Sequence, residues 1–348
     1  MASSSTKFPL SWSKKFIKLV NSQLQPQNAQ NSSNFLNFKL AGKTVGKIQP
    51  STAKFMQEKF SNFFQENFEK SNFEKSNDLT LKPEFDQNFT QRSEILNKIA
   101  NHKEMKQKFI KFPFRFEQYP IHELPKNQKE LSEMTLKNFT EKEILASTER
   151  SSAPMFGMVS YGTHMTIFRD SLSRSSHSLD KDLIEILVPK RSATKSKYPN
   201  YYDNSVAGGV LCHETAPKWD LQNLDLGLDP LTSNMQKESQ EEAGLSPKYF
   251  NSIKYIGNTT YLKINNFYCP RIQFNYQLKV GSEFIPEAVD GEVGSFEWCD
   301  VERVKELLVG GNFKPNSMVV LVHFLVYNGI LNEKNCEGYQ EICGVLRR

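Results

Sequence analysis

Lys237-Glu238-Ser239-Gln240-Glu241-Glu242-Ala243-Gly244-Leu245 places three carboxylates at i, i+3 and i+4 of a helix, and therefore on one face. Three like charges within one turn repel each other. Two readings follow: a solvated acidic surface, or a site whose cation cancels the repulsion. Hard divalent cations such as Mg²⁺ take carboxylate oxygens and complete their shell with water and substrate phosphates, so the second reading is a candidate phosphate-chemistry site. Upstream, Val206-Ala207-Gly208-Gly209-Val210-Leu211 reads as a short apolar strand broken by a glycine pair, joined to the acidic helix by a long loop. Asp229-Pro230 lies where an N-cap followed by proline at the first helical position is expected.

Strand, loop and helix together resemble the Nudix hydrolase signature. Glu238, Glu241, Glu242, Gly244 and Leu245 stand at its glutamate, glycine and final apolar positions, and Lys237 replaces its arginine. The resemblance implies that Glu238, Glu241 and Glu242, with the backbone of Gly208 and Gly209, hold a catalytic Mg²⁺ or Mn²⁺. Lys237 keeps the charge of the arginine but not its planar fork, and is expected to hold the glutamates in position. Ser239 stands at an apolar position, and nineteen residues separate Gly209 from Asp229 where the signature has five. Asp229 is thus either the equivalent of the first signature glutamate or only a helix cap.

A second resemblance covers about residues 10–50 and 95–335. Glu149-Arg150, Phe156-Gly157, Tyr161-Gly162-Thr163-His164, Arg191-Ser192-Ala193-Thr194-Lys195 and Asp290-Gly291-Glu292-Val293 occur in the order seen in the Nudix subgroup with an N-terminal DUF4743 domain. That subgroup is related to a region fused to some thiamine pyrophosphokinases, and its members remove phosphate from oxidised thiamine diphosphates. The fold it implies is an α/β/α sandwich around a mixed sheet (residues 151–348, with an insertion at about 210–228). A smaller α+β N-terminal domain precedes it (1–150, with an insertion at about 58–90) and helps wall the substrate pocket. The implied partner is a small organic diphosphate, by resemblance a thiamine diphosphate or its oxidised form, split into monophosphate and phosphate. Two alternatives stand beside it: hydrolysis of another diphosphate, such as a damaged nucleotide or nucleotide sugar, and a degenerate Nudix module that binds without hydrolysis.

The family draws a further carboxylate from beyond the helix as ligand or general base, and Glu292 is the candidate, ahead of Glu287 and Asp290; the competing reading is a plain turn at Asp290-Gly291. Arg191 and Lys195 enter the site along a strand, either to grip a diphosphate or as a surface charge pair. His164 is either a substrate contact or a packed histidine.

The rest of the chain sets bounds. A net charge of +5 over 348 residues, without a Lys/Arg tract, does not imply nucleic-acid binding. Five scattered cysteines fit neither a zinc site nor a disulfide framework and suit a reducing compartment, the cytoplasm. No apolar run approaches the ~18 residues of a membrane span. Ser11 to Val20 reads as an amphipathic first helix belonging with the strand-turn-strand of residues 35–48, or alternatively as a mitochondrial presequence, since no Asp or Glu precedes Glu58. Phe-Glu-Lys-Ser-Asn occurs twice, at 68–72 and 73–77, a period matching neither helix nor strand, so 58–90 reads as a low-complexity surface loop.

Overall fold

Period-two burial starts the first unit. β1 (Leu36–Leu40) turns Leu36, Phe38 and Leu40 inward and pairs antiparallel with β2 (Lys43–Ile48) through a tight turn at Ala41-Gly42, both at positive φ. The structure is a computed structural model and describes residues 6–24, 35–65, 78–110, 113–171, 183–219, 228–264 and 267–346. α1 (Leu10–Leu24) precedes the hairpin, and α2 (Pro50–Lys59), with proline at its first turn, follows it. β3 (Asp78–Thr80) adds parallel to β1, and α3 (Phe89–Asn101) and α4 (Lys103–Phe109) cover this three-stranded sheet. β4 (Gln118–Ile121) and β5 (Ala146–Glu149) form a two-stranded ladder, with the short helices α5 (Gln128–Ser132) and α6 (Leu136–Thr140) between them.

The second unit is a six-stranded mixed sheet. β6 (Ser160–Asp170) and β10 (Tyr268–Lys279) run parallel at its centre. β9 (Lys254–Ile264) flanks β10, and β7 (Ile184–Arg191) with β11 (Val293–Asp300) extends the other side, all antiparallel to their neighbours. β8 (Val206–Gly209) pairs with the first half of β6 while β7 pairs with its last residues, so the sheet forks here. Ser205 bridges the fork: its hydroxyl donates to Leu187 O at 2.6 Å and accepts from Ile167 N at 2.8 Å. Side chains alternate between two cores. Tyr161, Met165, Phe274 and Tyr276 pack under α7 (Pro230–Ala243), and Ile184, Ile186, Val188 and Ile256 pack under α8 (Val301–Val309), α9 (Pro315–Tyr327) and α10 (Tyr339–Leu346). The expected α/β/α layering around a mixed sheet, after a smaller α+β unit, is present.

Three expectations are corrected. The first helix is amphipathic as expected, but Trp12, Phe16, Val20 and Leu24 are buried against α8, α9 and α10, so α1 belongs to the core of the second unit and the division at residue 150 does not hold for it. The 58–90 stretch is not simply a surface loop: Phe60, Phe64, Leu79 and Leu81 are in the first unit's core. Apolar side chains flanking a polar repeat find a core that the repeat's own period conceals; the repeat itself, 68–77, lies outside the described residues. Likewise Val210 and Cys212, in the 210–228 insertion, are buried, and Trp219 packs on Phe139 at 5.0 Å; residues 220–227 lie outside the described residues.

The two units are stitched at Gly157. Its φ of +68° suits glycine, and a Cβ there would lie 1.8 Å from Lys47 O, so only hydrogen lets β2 approach the turn leading into β6. All five cysteines are free. Among the described residues no helix is long and apolar enough to cross a membrane.

His122 lies at the same junction, buried among Phe139, Tyr161 and Trp219, with Nδ1 donating to Glu143 O at 2.9 Å. Burial pushes its pKa down to about 4, and burial does the same to His323. Both folded values lie below the unfolded one, so the unfolded chain binds more protons between pH 6.5 and 4. Their contribution is complete above pH 6.5 and is lost as pH falls toward 4, on the order of 3 kcal/mol for His122. The urea midpoint is expected to drop clearly between pH 7.5 and pH 5, and an unchanged midpoint contradicts this reading.

Candidate active site

α7 begins where Asp229 caps it, its Oδ1 accepting from Leu231 N and Thr232 N at 3.0 Å, and ends where Gly244 takes the left-handed conformation. Asp229 is therefore a helix cap. The three glutamates fall in the last turns, facing the fork of the sheet. Glu242 is buried, and its Oε2 accepts from Ala207 N at 2.7 Å. Burial and the neighbouring Glu238 raise its pKa well above the ordinary carboxylate range. Burial likewise lifts Glu238 to about 7, against the nearby charge of Lys237. The glycine pair is a steric requirement here. A Cβ on Gly208 would meet the Glu238 carboxyl carbon at 2.1 Å, and one on Gly209 would meet Tyr119 Oη at 2.7 Å.

The segment before β11 hangs on the end of α7: Glu287 N donates to Ala243 O and Asp290 N to Glu241 O, satisfying carbonyls that a helix end leaves open. It delivers Asp290 and Glu292 opposite Glu242. Carboxylate oxygens of Glu242, Asp290 and Glu292 lie within 4.8 Å of one another. Glu292 thus stands at the site, and Asp290, ranked below it from sequence, stands beside it with Oδ1 accepting from Glu292 N at 2.8 Å. Lys195 pairs with Glu292 Oε2. Burial raises Glu292, but the Lys195 contact outweighs it and its pKa is net lowered.

The remaining candidates divide between the rim, the cavity lining and a buried polar network. Glu241 is exposed at the rim, and Lys237 meets only Glu241, at 4.0 Å between two solvated side chains, a contact worth little. Lys237 does not clamp the buried glutamates. Arg191 lines the cavity, but its Nη1 is spent on Asp203 Oδ2 at 2.7 Å, part of a buried network in which Asp203 also meets Lys314 at 2.8 Å and Ser317. His164 is buried with Nε2 at 3.4 Å from Asn316 Nδ2, and burial drives its pKa to about 3, so it is neutral. Ser239 fills its apolar position without an unmet hydroxyl, donating to Gln236 O at 2.7 Å.

A cavity of about 710 Å³ opens from these carboxylates and is walled by both units. Arg115 and Arg150 from the first unit and Lys197 and Arg271 from the second also line it, with Arg150 beside Gly209 and close enough to Glu238 to act on its charge. Arg150 was read only as part of the Glu149-Arg150 element, and Arg271, on the polar phase of β10 with Gln273, Asn275 and Gln277, was not singled out, nor were Arg115 and Lys197.

Residues 15–160 match the family model described as "Domain of unknown function (DUF4743)". Over 206 residues the chain is 32% identical to Nudix hydrolase 20, chloroplastic, of Arabidopsis thaliana, covering 59% of this chain and 48% of that protein. It is 29% identical over 214 residues to the uncharacterized protein YJR142W of Saccharomyces cerevisiae (58% and 56%), and 29% identical over 204 residues to Nudix hydrolase 24, chloroplastic, of Arabidopsis thaliana (58% and 49%). The chain spans about half the length of the curated relatives it matches. Among solved structures it is similar, with a TM-score of 0.32 and 11% identity over 49% of this chain and 84% of the other, to the NUDIX domain of Shewanella oneidensis NrtR complexed with ADP ribose; at that score the likeness adds nothing to the layer order described above. The chain thus carries a DUF4743 region and is homologous to proteins named Nudix hydrolases.

Proposed function

We propose that the protein hydrolyses an organic diphosphate with the help of a divalent cation held by Glu242, Glu238 and Glu292, with Asp290, Glu241 and the Gly209 carbonyl beside them. The observation that carries this is the convergence of Glu242, Asp290 and Glu292 within 4.8 Å beside a cavity that Asp290 and Glu292 line, with Glu242 buried and, among the described residues, in no ion pair. Like charges so placed call for a counter-charge, and an all-oxygen donor set suits Mg²⁺ or Mn²⁺. Such a cation, when bound, neutralises phosphate charge and lowers the pKa of a water. The chain's own residues do the rest. Gly208 and Gly209 leave room against the backbone for Glu238 and Tyr119, and Glu292, tied by Lys195, orients a water and takes its proton as the water oxygen attacks phosphorus. The bond from phosphorus to the bridging oxygen breaks, leaving a monophosphate and inorganic phosphate.

The finer reading, an oxidised thiamine diphosphate, is supported by the order of subgroup elements in the sequence and by the charge of the cavity. Cations in its lining disfavour a positively charged thiazolium and favour the neutral oxidised ring. Chromatography of the monophosphate products from oxidised thiamine diphosphate, thiamine diphosphate, ADP-ribose and ATP, in Mg²⁺, Mn²⁺ and EDTA, tests both levels. Turnover is expected with either metal and not in EDTA, with the oxidised thiamine compound ranked first. A nucleotide in first place overturns the thiamine reading, and turnover in EDTA overturns the metal. The cytoplasm remains the proposed compartment.

Gly208→Ala is expected to lower kcat by about tenfold or more with little loss of stability. The added methyl meets only the end of the Glu238 side chain, which swings away from its place. Unchanged kcat in a folded Gly208→Ala protein would show that Glu238 is not needed where it stands.

A further inference from the structure

The cavity lining carries guanidinium charge that the ion pairs among the described residues do not all answer. Arg150 Nη1 pairs with Glu117 Oε2 at 2.5 Å and its guanidinium stacks 5.3 Å from the Tyr119 ring. Arg115 and Arg271 have no ion pair among the described residues. Arg271 lies on β10, opposite Ser160 and Tyr261, two residues before Gln273, which is registered beside Gly162 and, through it, Gly209. The cations crowd each other: after burial, Arg271, Arg150 and Arg115 are the causes that bring the Lys197 pKa down to about 7. Holding unpaired guanidinium groups together costs free energy unless an anion joins them.

The first unit is built to hold its share of this lining in place. Glu149, 2% exposed, spends its carboxylate on the backbone of the neighbouring loop: Oε1 accepts from Arg115 N at 2.9 Å and from Ser151 N at 3.2 Å, and Oε2 from Phe116 N at 3.0 Å. Phe116 is thereby held at φ +60°, an unfavourable conformation for a bulky residue, with its ring 91% exposed while Arg115 lines the cavity. A buried carboxylate that keeps a strained loop in one conformation fixes where Arg115 stands.

We propose that Arg115 and Arg150 of the DUF4743 region, with Arg271 in the lining of the same cavity, form a phosphate subsite that binds a phosphate group of the substrate without the divalent cation. Glu149 is its positioning residue. Guanidinium forks match phosphate oxygens two at a time, and the first unit thus completes the site of the second. The proposal deepens the diphosphate reading, yet it is testable apart from catalysis.

Calorimetric titration of the full chain with inorganic phosphate in EDTA, against chloride at equal ionic strength, is the test. Saturable phosphate binding is expected with no equivalent for chloride. Arg115→Gln and Arg271→Gln should each weaken it by about tenfold, and Arg271→Lys by less, because charge is kept and the fork is lost. Arg115 is exposed, so its variant folds even if the Arg271 substitution does not. Absence of phosphate binding above the chloride control, or unchanged affinity in Arg115→Gln, overturns the proposal. Phosphate binding without hydrolysis of any diphosphate would leave this subsite standing and overturn the catalytic reading instead.

Discussion

Glu242→Gln lowers kcat by about two orders of magnitude or more and leaves the melting temperature unchanged or raised. The side chain is buried, and its pKa is raised by burial and by Glu238, so the folded protein bears the cost of that charge. Glutamine keeps the carbonyl oxygen that accepts from Ala207 N and removes the repulsion. The loss therefore falls on transition-state charge stabilisation and not on the fold. Steady-state rates in Mg²⁺ with a parallel thermal melt decide it: kcat within threefold of wild type removes Glu242 from the chemistry. Glu241→Gln is expected to cost less, because that carboxylate stands exposed at the rim.

The largest stability effect is expected at Asp203, a residue with no part in the signature. Its carboxylate is fully enclosed by Arg191, Lys314 and Ser317, which outweigh burial and hold its pKa below the usual carboxylate range. Asp203→Ala leaves two partly buried cations without a partner, a loss of about 3–5 kcal/mol. For a chain of this size that is a melting-temperature drop of roughly 4–7 °C. The pH dependence has a definite sign: with the folded pKa below the unfolded value, the contribution is present above about pH 4 and disappears as pH falls. A melting temperature within 2 °C of wild type would show that the network contributes no stability.

The acidic helix was readable to its ends because its signals are local: Asp229 and Pro230 start it, Gly244 stops it, and i, i+3, i+4 spacing sets its face. Glu292 was readable for the same reason, as part of a short ordered element. For Arg191 the sequence left a substrate grip and a charge pair both open, because Asp203 and the second cation on it, Lys314, are 12 and 123 residues away and nothing in the spacing of charges separates the two readings. Phe64, Leu79 and Leu81 were hidden by the low-complexity repeat between them. Arg150 was visible only as part of a short ordered element, and Arg115 and Arg271 were missed because the three come from different segments that only the packing of one unit on the other brings to one cavity.

The docking of α1 sets an order on synthesis. Trp12, Phe16 and Val20 are made long before the helices that cover them, α8 to α10, and Phe8 N and O close on Asn335 and Glu337. At typical rates of ~5–20 residues per second, the apolar stripe of α1 waits on the order of 15–60 s for its partner. Over that interval the nascent chain displays an amphipathic helix bearing Trp12 and Phe16 to whatever binds such surfaces, and the second unit cannot complete its outer core until the final turn of α10 has arrived.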